Sequence, residues 1–482
     1  MCDTLCLITK HGTFFAKNSD RPVGEPQTLF AEHERPPDFG RHSLPVQYMN
    51  IEDAGSLPCL LSRPTWLWGA EHGINSKRVA IGNEKIYTID DPYEAPSALI
   101  GMDLVRLAVE RASSAREAVQ EIEWLLAAYG QGGIADRQAM EPYWSSFLIA
   151  DPHEAWILET SANTWAAKCI DLEEAPTAEA PTAIACISNR VTLSTDWDIA
   201  SSTVPVGSDF DEWRNKDAPT AHADVRLLSS RQFLESIRNR LDNNSDNSKN
   251  NTSSSTGPTH ANATHNSSYT DNTDDTDNTD DTDNRDTTHN STSDSNIDSD
   301  IDIESIKQTA SSFAAHLRDH GTGPWGNPLT SASQAVPPPE YSLPDGTGVS
   351  VCMHIRSYQV TAASMITFLP AQKTTPALCW VALGSPCCSV YVPVLPPDVL
   401  TDRPLHIPVI LEQEATWKRF DDLRQLVEDD PPAITGVRNI LHPLENTLWN
   451  EAPQLEATEN AWNSFYDTAS SALLNAFTEL GV

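Results

Sequence analysis

Positive charge is scarce in this chain. Only 32 Lys and Arg stand against 68 Asp and Glu, a formal net charge of −36 over 482 residues. Nucleic acid and anionic membranes both need a basic face, so this balance argues against either partner. Long apolar runs are missing too. No stretch approaches the roughly 18 uninterrupted apolar residues of a spanning helix, so no membrane insertion is expected. No basic segment precedes an apolar run near Met1, so no secretory signal is expected either. Cysteine is sparse, with nine scattered residues. An odd number in a long chain reads as a reduced, cytoplasmic protein better than as a disulfide scaffold. Neither the Cys2/Cys6 pair nor the adjacent Cys387-Cys388 has a zinc spacing with a second ligand pair, so no metal and no cofactor is expected.

Residues 242–304 lack large hydrophobic side chains almost entirely. They hold 15 acidic and 2 basic residues, which is −13 of the total charge. Such a segment cannot bury enough apolar area to offset the entropy of ordering it, so a disordered insertion is expected here. Its Asp-x-Asp spacings lack the glycine and the glutamate that complete a calcium loop. The chain therefore divides into 2–241, the insertion 242–304, and 305–482 with helices toward its end.

Hydrophobic spacing predicts helices over 96–112, 115–129, 223–241, 303–319, 415–428 and 455–479. Ser113 or Ser114 is placed to cap the second, and Gly130-Gln131-Gly132-Gly133 to end it. Strands are predicted over 3–9 and 12–16, joined at Lys10-His11-Gly12, and over 146–150, 155–160, 164–169, 184–189, 349–354, 361–366, 377–383 and 389–394. Residues 44–50 and 78–82 also read as extended. Strand runs and helix runs cluster rather than alternate, which favours a layered α+β fold over a doubly wound one.

The richest chemistry sits in the first twenty-odd residues. Cys2 follows Met1 directly, and the polar run Lys17-Asn18-Ser19-Asp20-Arg21 follows about fifteen residues later. Loss of Met1 would give Cys2 both a thiol and a free amine. An unperturbed α-amine titrates at about 7.7–8, so a good fraction is neutral near neutral pH and can accept the thiol proton. A cation such as Lys17 favours the thiolate if a hairpin returns it beside residue 2. Asp20 is placed to orient the amine, and asparagine side chains can supply oxyanion donors. On composition alone a buried structural cysteine explains Cys2 as well.

With these motifs in view, the chain resembles the secernin branch of the C69 peptidase family of N-terminal-nucleophile hydrolases. Cys2-Asp3-Thr4 and Gly12 through Pro22 carry the resemblance at the N-terminus. Further matching stretches are Trp68-Gly69-Ala70-Glu71, Ile81-Gly82-Asn83-Glu84, Gly101 to Ala108, Tyr129 to Gly133, Ala155 to Thr160, Ile187-Ser188-Asn189, Val351 to His354, Ala382 to Cys387 and Trp417 to Phe420. The resemblance implies a four-layer αββα sandwich and hydrolysis of a small peptide or amide substrate, with dipeptidase activity in bacterial relatives. It implies Cys2 as nucleophile, Asp20 near its amine, and Lys17, Asn83 and Asn189 as further catalytic residues. Lys17 stands where more distant amidases of the class carry arginine; it keeps the charge without the planar fork. No downstream substrate-side arginine is matched, with Arg190 and Arg356 only guessed at. Cys6, His354 and the Cys387-Cys388 pair read as packing residues rather than chemistry.

Two other readings stand beside the hydrolase. Animal secernins are associated with regulated secretion, which gives a non-hydrolytic or scaffold role. Cys2 processed into a non-thiol electrophile gives carbonyl-type chemistry. Homo-oligomerisation is left open by the sequence. Deleting residues 245–300 is expected to leave the thermal midpoint and any amidase activity little changed; a large drop in the melting temperature of the deleted protein would refute the insertion reading.

Overall fold

The computed structural model describes residues 1–38, 40, 43–174, 182–252, 302–321, 349–356, 358–398, 407–455 and 458–482. Met1–Asp242 and Ile301–Val482 form one compact unit, and Asn243–Asp300 a second. The insertion expected over 242–304 is narrower: a helix continues to Thr252, residues 302–304 cap and begin the next helix, and residues 253–301 lie outside the described residues.

The chain begins with the expected hairpin of β1 (Cys2–Thr9) and β2 (Gly12–Pro22). Gly12 turns it with φ +137°, where a Cβ would lie 2.3 Å from the Leu369 carbonyl oxygen, so no other residue fits. Next come β3 (Gln27–Glu32), the small pair β4 (Ser43–Pro45) and β5 (Asn50–Glu52), then β6 (Cys59–Pro64), β7 (His72–Asn75) and β8 (Ala80–Ile86). Helices α1 (Gly101–Arg111) and α2 (Ala115–Tyr129) follow. After the short β9 (Ile134–Asp136) and β10 (Glu141–Pro142), a meander runs through β11 (Trp144–Ala150), β12 (Glu154–Ser161) and β13 (Thr164–Asp171). Then come β14 (Thr182–Ile187), β15 (Ile199–Ala200), α3 (Ala221–Thr252) and α4 (Ile303–Leu317). The last part holds β16 (His354–Ile355), β17 (Gln359–Pro370), β18 (Leu378–Leu383) and β19 (Val392–Val394). It closes with α5 (Val409–Glu412), α6 (Glu414–Asp429), α7 (Ala433–Glu451) and α8 (Glu459–Leu480).

Among the described residues, two large antiparallel sheets stack face to face. One orders β14-β1-β2-β17-β18-β19, with β16 on β17; the other orders β15-β13-β12-β11-β8-β7-β6-β3. α1 and α2 cover the outer face of the second sheet, where Leu104, Leu107, Val119, Ile122 and Leu126 meet Ile81, Phe147, Ile149 and Leu158. α4, α6 and α7 lie against the first sheet. The expected αββα sandwich is what the chain adopts. Among the described residues, no helix is long and apolar enough to cross a membrane.

Several elements differ from the sequence expectation for identifiable reasons. β2 runs on from residue 16 to Pro22 because β17 pairs with it over its whole length. Paired with β1 as far as Ser19 and with β17 to Pro22, it stays extended through Lys17-Asn18-Ser19-Asp20-Arg21, all buried, past a register shift between Thr361 and Ala363. Residues 349–353 are not a strand: the Cys352 N–H donates to Asp319 O (2.9 Å) and Ser350 Oγ to Cys352 O (2.9 Å), which takes that backbone out of the ladder. Only Val392–Val394 of 389–394 pairs. α1 starts at Gly101 rather than 96, since Leu99 bridges to Gln131 in extended form. α7 went unpredicted because Gly436 and Pro443 interrupt its helical pattern. α2 behaves as read, with Ser114 accepting from the Glu117 N–H and Gly130 at its end with φ +76°.

Two glycines give opposite tests of this packing. Gly69 lies so close to α1 that a Cβ would stand 2.4 Å from the Met102 carbonyl carbon, whereas Gly436 on α7 meets nothing within 4 Å. Gly69→Ala should cost about 1–3 kcal/mol in chemical denaturation, and Gly436→Ala should add about 1 kcal/mol through helix propensity. A neutral Gly69→Ala would show that the approach of residue 69 to α1 is not fixed.

Candidate active site

The β1–β2 register pairs Cys2 with Ser19 and Thr4 with Lys17. Side chains two apart on a strand share a face, so Lys17 falls on the Cys2 face one step along, as the hairpin reading required. On the other edge β1 pairs with β14, Thr4 opposite Ile187. Continuing that register by two residues sets Asn189 opposite Cys2. The nucleophile candidate is thereby held by the main chain of β2 on one side and by the Asn189 side chain on the other.

Its atoms are engaged accordingly. The Cys2 N–H donates to Asn189 Oδ1 at 2.7 Å. The Asp20 N–H points to Cys2 Sγ at 3.4 Å. The Met1 amine donates to Gln359 Oε1 and lies 3.5 Å from the Asp20 carbonyl oxygen. Asp20 is itself fixed, accepting from Thr361 Oγ1 at 2.7 Å through Oδ1. Its Oδ2 is buried without a hydrogen bond and 3.9 Å from Arg226 Nη1. Burial pushes the Asp20 carboxyl up to about 6, against the pull of the amino terminus and Arg226. Burial likewise raises the Cys2 thiol; Lys17 and the amino terminus oppose this, Glu71 and Asp20 add to it. The resting side chain is therefore a thiol that needs a base, not a preformed thiolate.

Lys17 and Asn83 belong to a neighbouring cluster between the sheets. Lys17 Nζ donates to Asn83 O (2.6 Å) and to Glu84 Oε1 (3.0 Å), and Thr4 Oγ1 donates to the same Glu84 oxygen. Lys17 and Glu84 are both fully buried. Burial alone would lower the lysine, but its interactions with Cys2, Glu84 and Glu71, together with the Glu84 hydrogen bond, outweigh it and keep Lys17 protonated. Beside it His72 is held well below its ordinary range by burial and by the Lys17 charge, so its ring is neutral. With its NH₂ turned toward Glu71, the Asn83 side chain donates to Glu71 O and Oε2, each at 3.0 Å. Glu71 also pairs with Arg21, which bonds Glu25 at 2.6 Å.

Of the five residues expected from the sequence, Asp20 and Asn189 touch Cys2 directly, Lys17 flanks it, and Asn83 supports Lys17. Asn189 turns its oxygen to the Cys2 nitrogen and gives its Nδ2 to Lys85 O at 2.9 Å. It therefore orients the nucleophile's nitrogen, and its amide NH₂ carries a second N–H beside the one given to Lys85.

The sequence reading missed Arg226. From α3 its Nη1 reaches Cys2 O (3.0 Å) and Asp3 Oδ2 (2.6 Å), and its Nη2 reaches Asn189 Oδ1 (2.7 Å). The side chain is fully buried. The two arginines weighed earlier lie elsewhere: Arg190 pairs with Asp224, and Arg356 with Glu428 and Asp429. Nothing local marks Arg226, one of several arginines on a helix; only the docking of α3 singles it out.

The Lys17–Glu84 pair makes a double-mutant prediction. Glu84→Gln leaves a buried lysine without its counter-charge and should cost about 3–5 kcal/mol, while Lys17→Met with Glu84→Gln should recover most of the loss. Chemical denaturation reads both, and equal losses in the single and double variants would rule the pair out as a coupled unit.

Comparison with known proteins follows from this geometry. Residues 46–184 match the family model of Peptidase family C69. Among solved structures, a conjugated bile acid hydrolase from Clostridium perfringens aligns at 15% identity over 40% of this chain and 54% of its own, with a TM-score of 0.26. A penicillin V acylase from Agrobacterium tumefaciens aligns at 13% identity over 35% and 49%, TM-score 0.24. A Caenorhabditis elegans N-acylethanolamine-hydrolyzing acid amidase ortholog aligns at 8% identity over 40% and 71%, TM-score 0.25. The chain spans about half the length of the first two of these structures. The resemblance to the C69 peptidases read from the sequence is borne out by the family model over residues 46–184.

Proposed function

We propose that this protein is a cysteine amidohydrolase of the N-terminal-nucleophile type, acting on a dipeptide or other small amide in the cytoplasm, and that it stands in the secernin branch of the C69 peptidases. The observation that carries the reading is the convergence on Cys2. Its nitrogen is already oriented by Asn189 and its sulfur by the Asp20 N–H, with Asp20 and Arg226 fixed around them. Removal of Met1 turns that nitrogen into an amine without moving the main chain that holds it.

The reaction then follows from proton accounting. The neutral Cys2 amine takes the thiol proton as Sγ attacks the carbonyl carbon. The resulting ammonium, held by Asn189, returns that proton to the leaving nitrogen as the C–N bond breaks. Water attacks the thioester carbonyl with the amine as base. The proton goes back to Sγ, and the acid leaves. Lys17 favours the thiolate form throughout, since it is a buried cation on the same strand face. The rival reading, a non-hydrolytic secernin-like protein of regulated secretion or scaffolding, draws support from how deeply Cys2 lies, only 5% exposed beneath Met1.

Intact-mass analysis of the purified protein should find Met1 absent and a free thiol at residue 2. Cys2→Ala should reduce turnover of a dipeptide and acyl-amide library at least about 10³-fold, since the nucleophile and its base sit in one residue, with the thermal midpoint kept. Met1 retained, or a carbonyl in place of the thiol, would overturn this mechanism. Turnover unchanged in Cys2→Ala would move the activity to another site.

A further inference from the structure

Far from Cys2 in sequence, four buried side chains meet: His320, Cys352, His354 and Cys387. One ligand-capable atom from each lies within 4.8 Å of the others. They come from three segments. His320 follows α4, Cys352 and His354 lead into β16, and Cys387 lies in the short helical turn Pro386–Cys388 after β18. We propose that this cluster is a structural zinc site of Cys₂His₂ type.

The spacings fit that metal. His354 Nε2 stands 3.5 Å from Cys352 Sγ and 3.3 Å from Cys387 Sγ. With Zn–S near 2.3 Å and Zn–N near 2.0 Å, neighbouring ligand atoms of a tetrahedron are about 3.5 Å apart. The tautomer fits as well. His354 Nδ1 bonds Glu428 Oε1 at 2.8 Å. That leaves Nε2 for the thiols, the carboxylate–histidine–metal arrangement that orients a ligating imidazole. Glu428 is anchored by Arg424 and by Arg356 Nε at 3.2 Å. The charge also balances: Zn²⁺ displaces one proton from each thiol, and two thiolates with two neutral imidazoles make a neutral complex, which burial tolerates. Cys388 Sγ, 3.3 Å from Cys387 Sγ, borders the site outside these four. Soft sulfur with imidazole in a closed, fully buried setting selects zinc over hard cations and marks a structural rather than catalytic centre.

The site would also brace Asp20. Met353, between two of the ligands, donates its N–H to Thr361 Oγ1 at 2.8 Å, and that hydroxyl donates to Asp20. A sequence reading does not find it, since only Cys352 and His354 are close in the chain, with His320 far before them and Cys387 far after.

Elemental analysis of the full-length protein, purified with reduced thiols and supplied with zinc, should find about one zinc per chain. Cobalt substitution should give the sulfur-to-metal charge-transfer and visible bands of a tetrahedral two-thiolate centre. Cys352→Ser with Cys387→Ser should abolish both signals. Cys6→Ser, a buried cysteine of β1, should keep them. Glu428→Gln, a positioning change outside the ligand set, should weaken zinc in chelator competition about 10–100-fold. No more than trace zinc in the folded, reduced wild-type protein would overturn the proposal, as would the same zinc content in the double variant.

Discussion

A lysine buried between two β-sheets constrains this fold more than any other single group. Lys17 leaves the centre of the first sheet and finds its counter-charge, Glu84, and a main-chain acceptor, Asn83 O, on β8 of the second. A cation taken wholly out of water is tolerated only with such partners. The two sheets must therefore stack in the one register that brings β2 over β8. The same stacking requires a small residue at Gly82, where a Cβ would lie 2.6 Å from Lys17 Cδ. Specificity of sheet packing and positive charge beside Cys2 thus come from one interaction.

Around Cys2 the design is mostly main chain. β1 pairs with β2 from Cys2 onward and with β14 from Thr4 onward, and Asn189 Oδ1 takes the Cys2 N–H, so residue 2 has little freedom. Arg226 closes the arrangement by bonding Cys2 O, Asp3 and Asn189 together. A guanidinium suits this position because its planar fork can serve several acceptors at once. Removing it would leave Asp3, fully buried, without its cation. Helix α3 is thereby tied to the N-terminal strand by charge as well as by packing.

The buried thiols of the chain fall into three environments. Cys2 lies among charged groups, and Cys352, Cys387 and Cys388 gather beside two histidines, while Cys6, Cys59 and Cys379 are buried in apolar strands. Burial in those strands pushes the Cys59 thiol well up, and that of Cys6 likewise, which leaves both inert.

The sequence by itself determined the hairpin at the N-terminus, the helices α1, α2, α4, α6 and α8 to within a few residues, the start of α3, the layered α+β class and the prominence of Cys2 with Lys17, Asp20 and Asn189. Each rests on local signals: apolar period, caps, glycines and one motif-rich stretch. The tertiary structure decided what depends on distant partners. It extended β2 to Pro22 through pairing with β17, and it dissolved the strand expected over 349–353. It turned Asn189 toward the Cys2 nitrogen, brought Arg226 in from a helix more than 200 residues away, and assembled four ligand-type side chains between 320 and 387. None of these leaves a periodic or spacing signature, because contacts between elements are fixed by how buried charges and strand edges find partners across the fold.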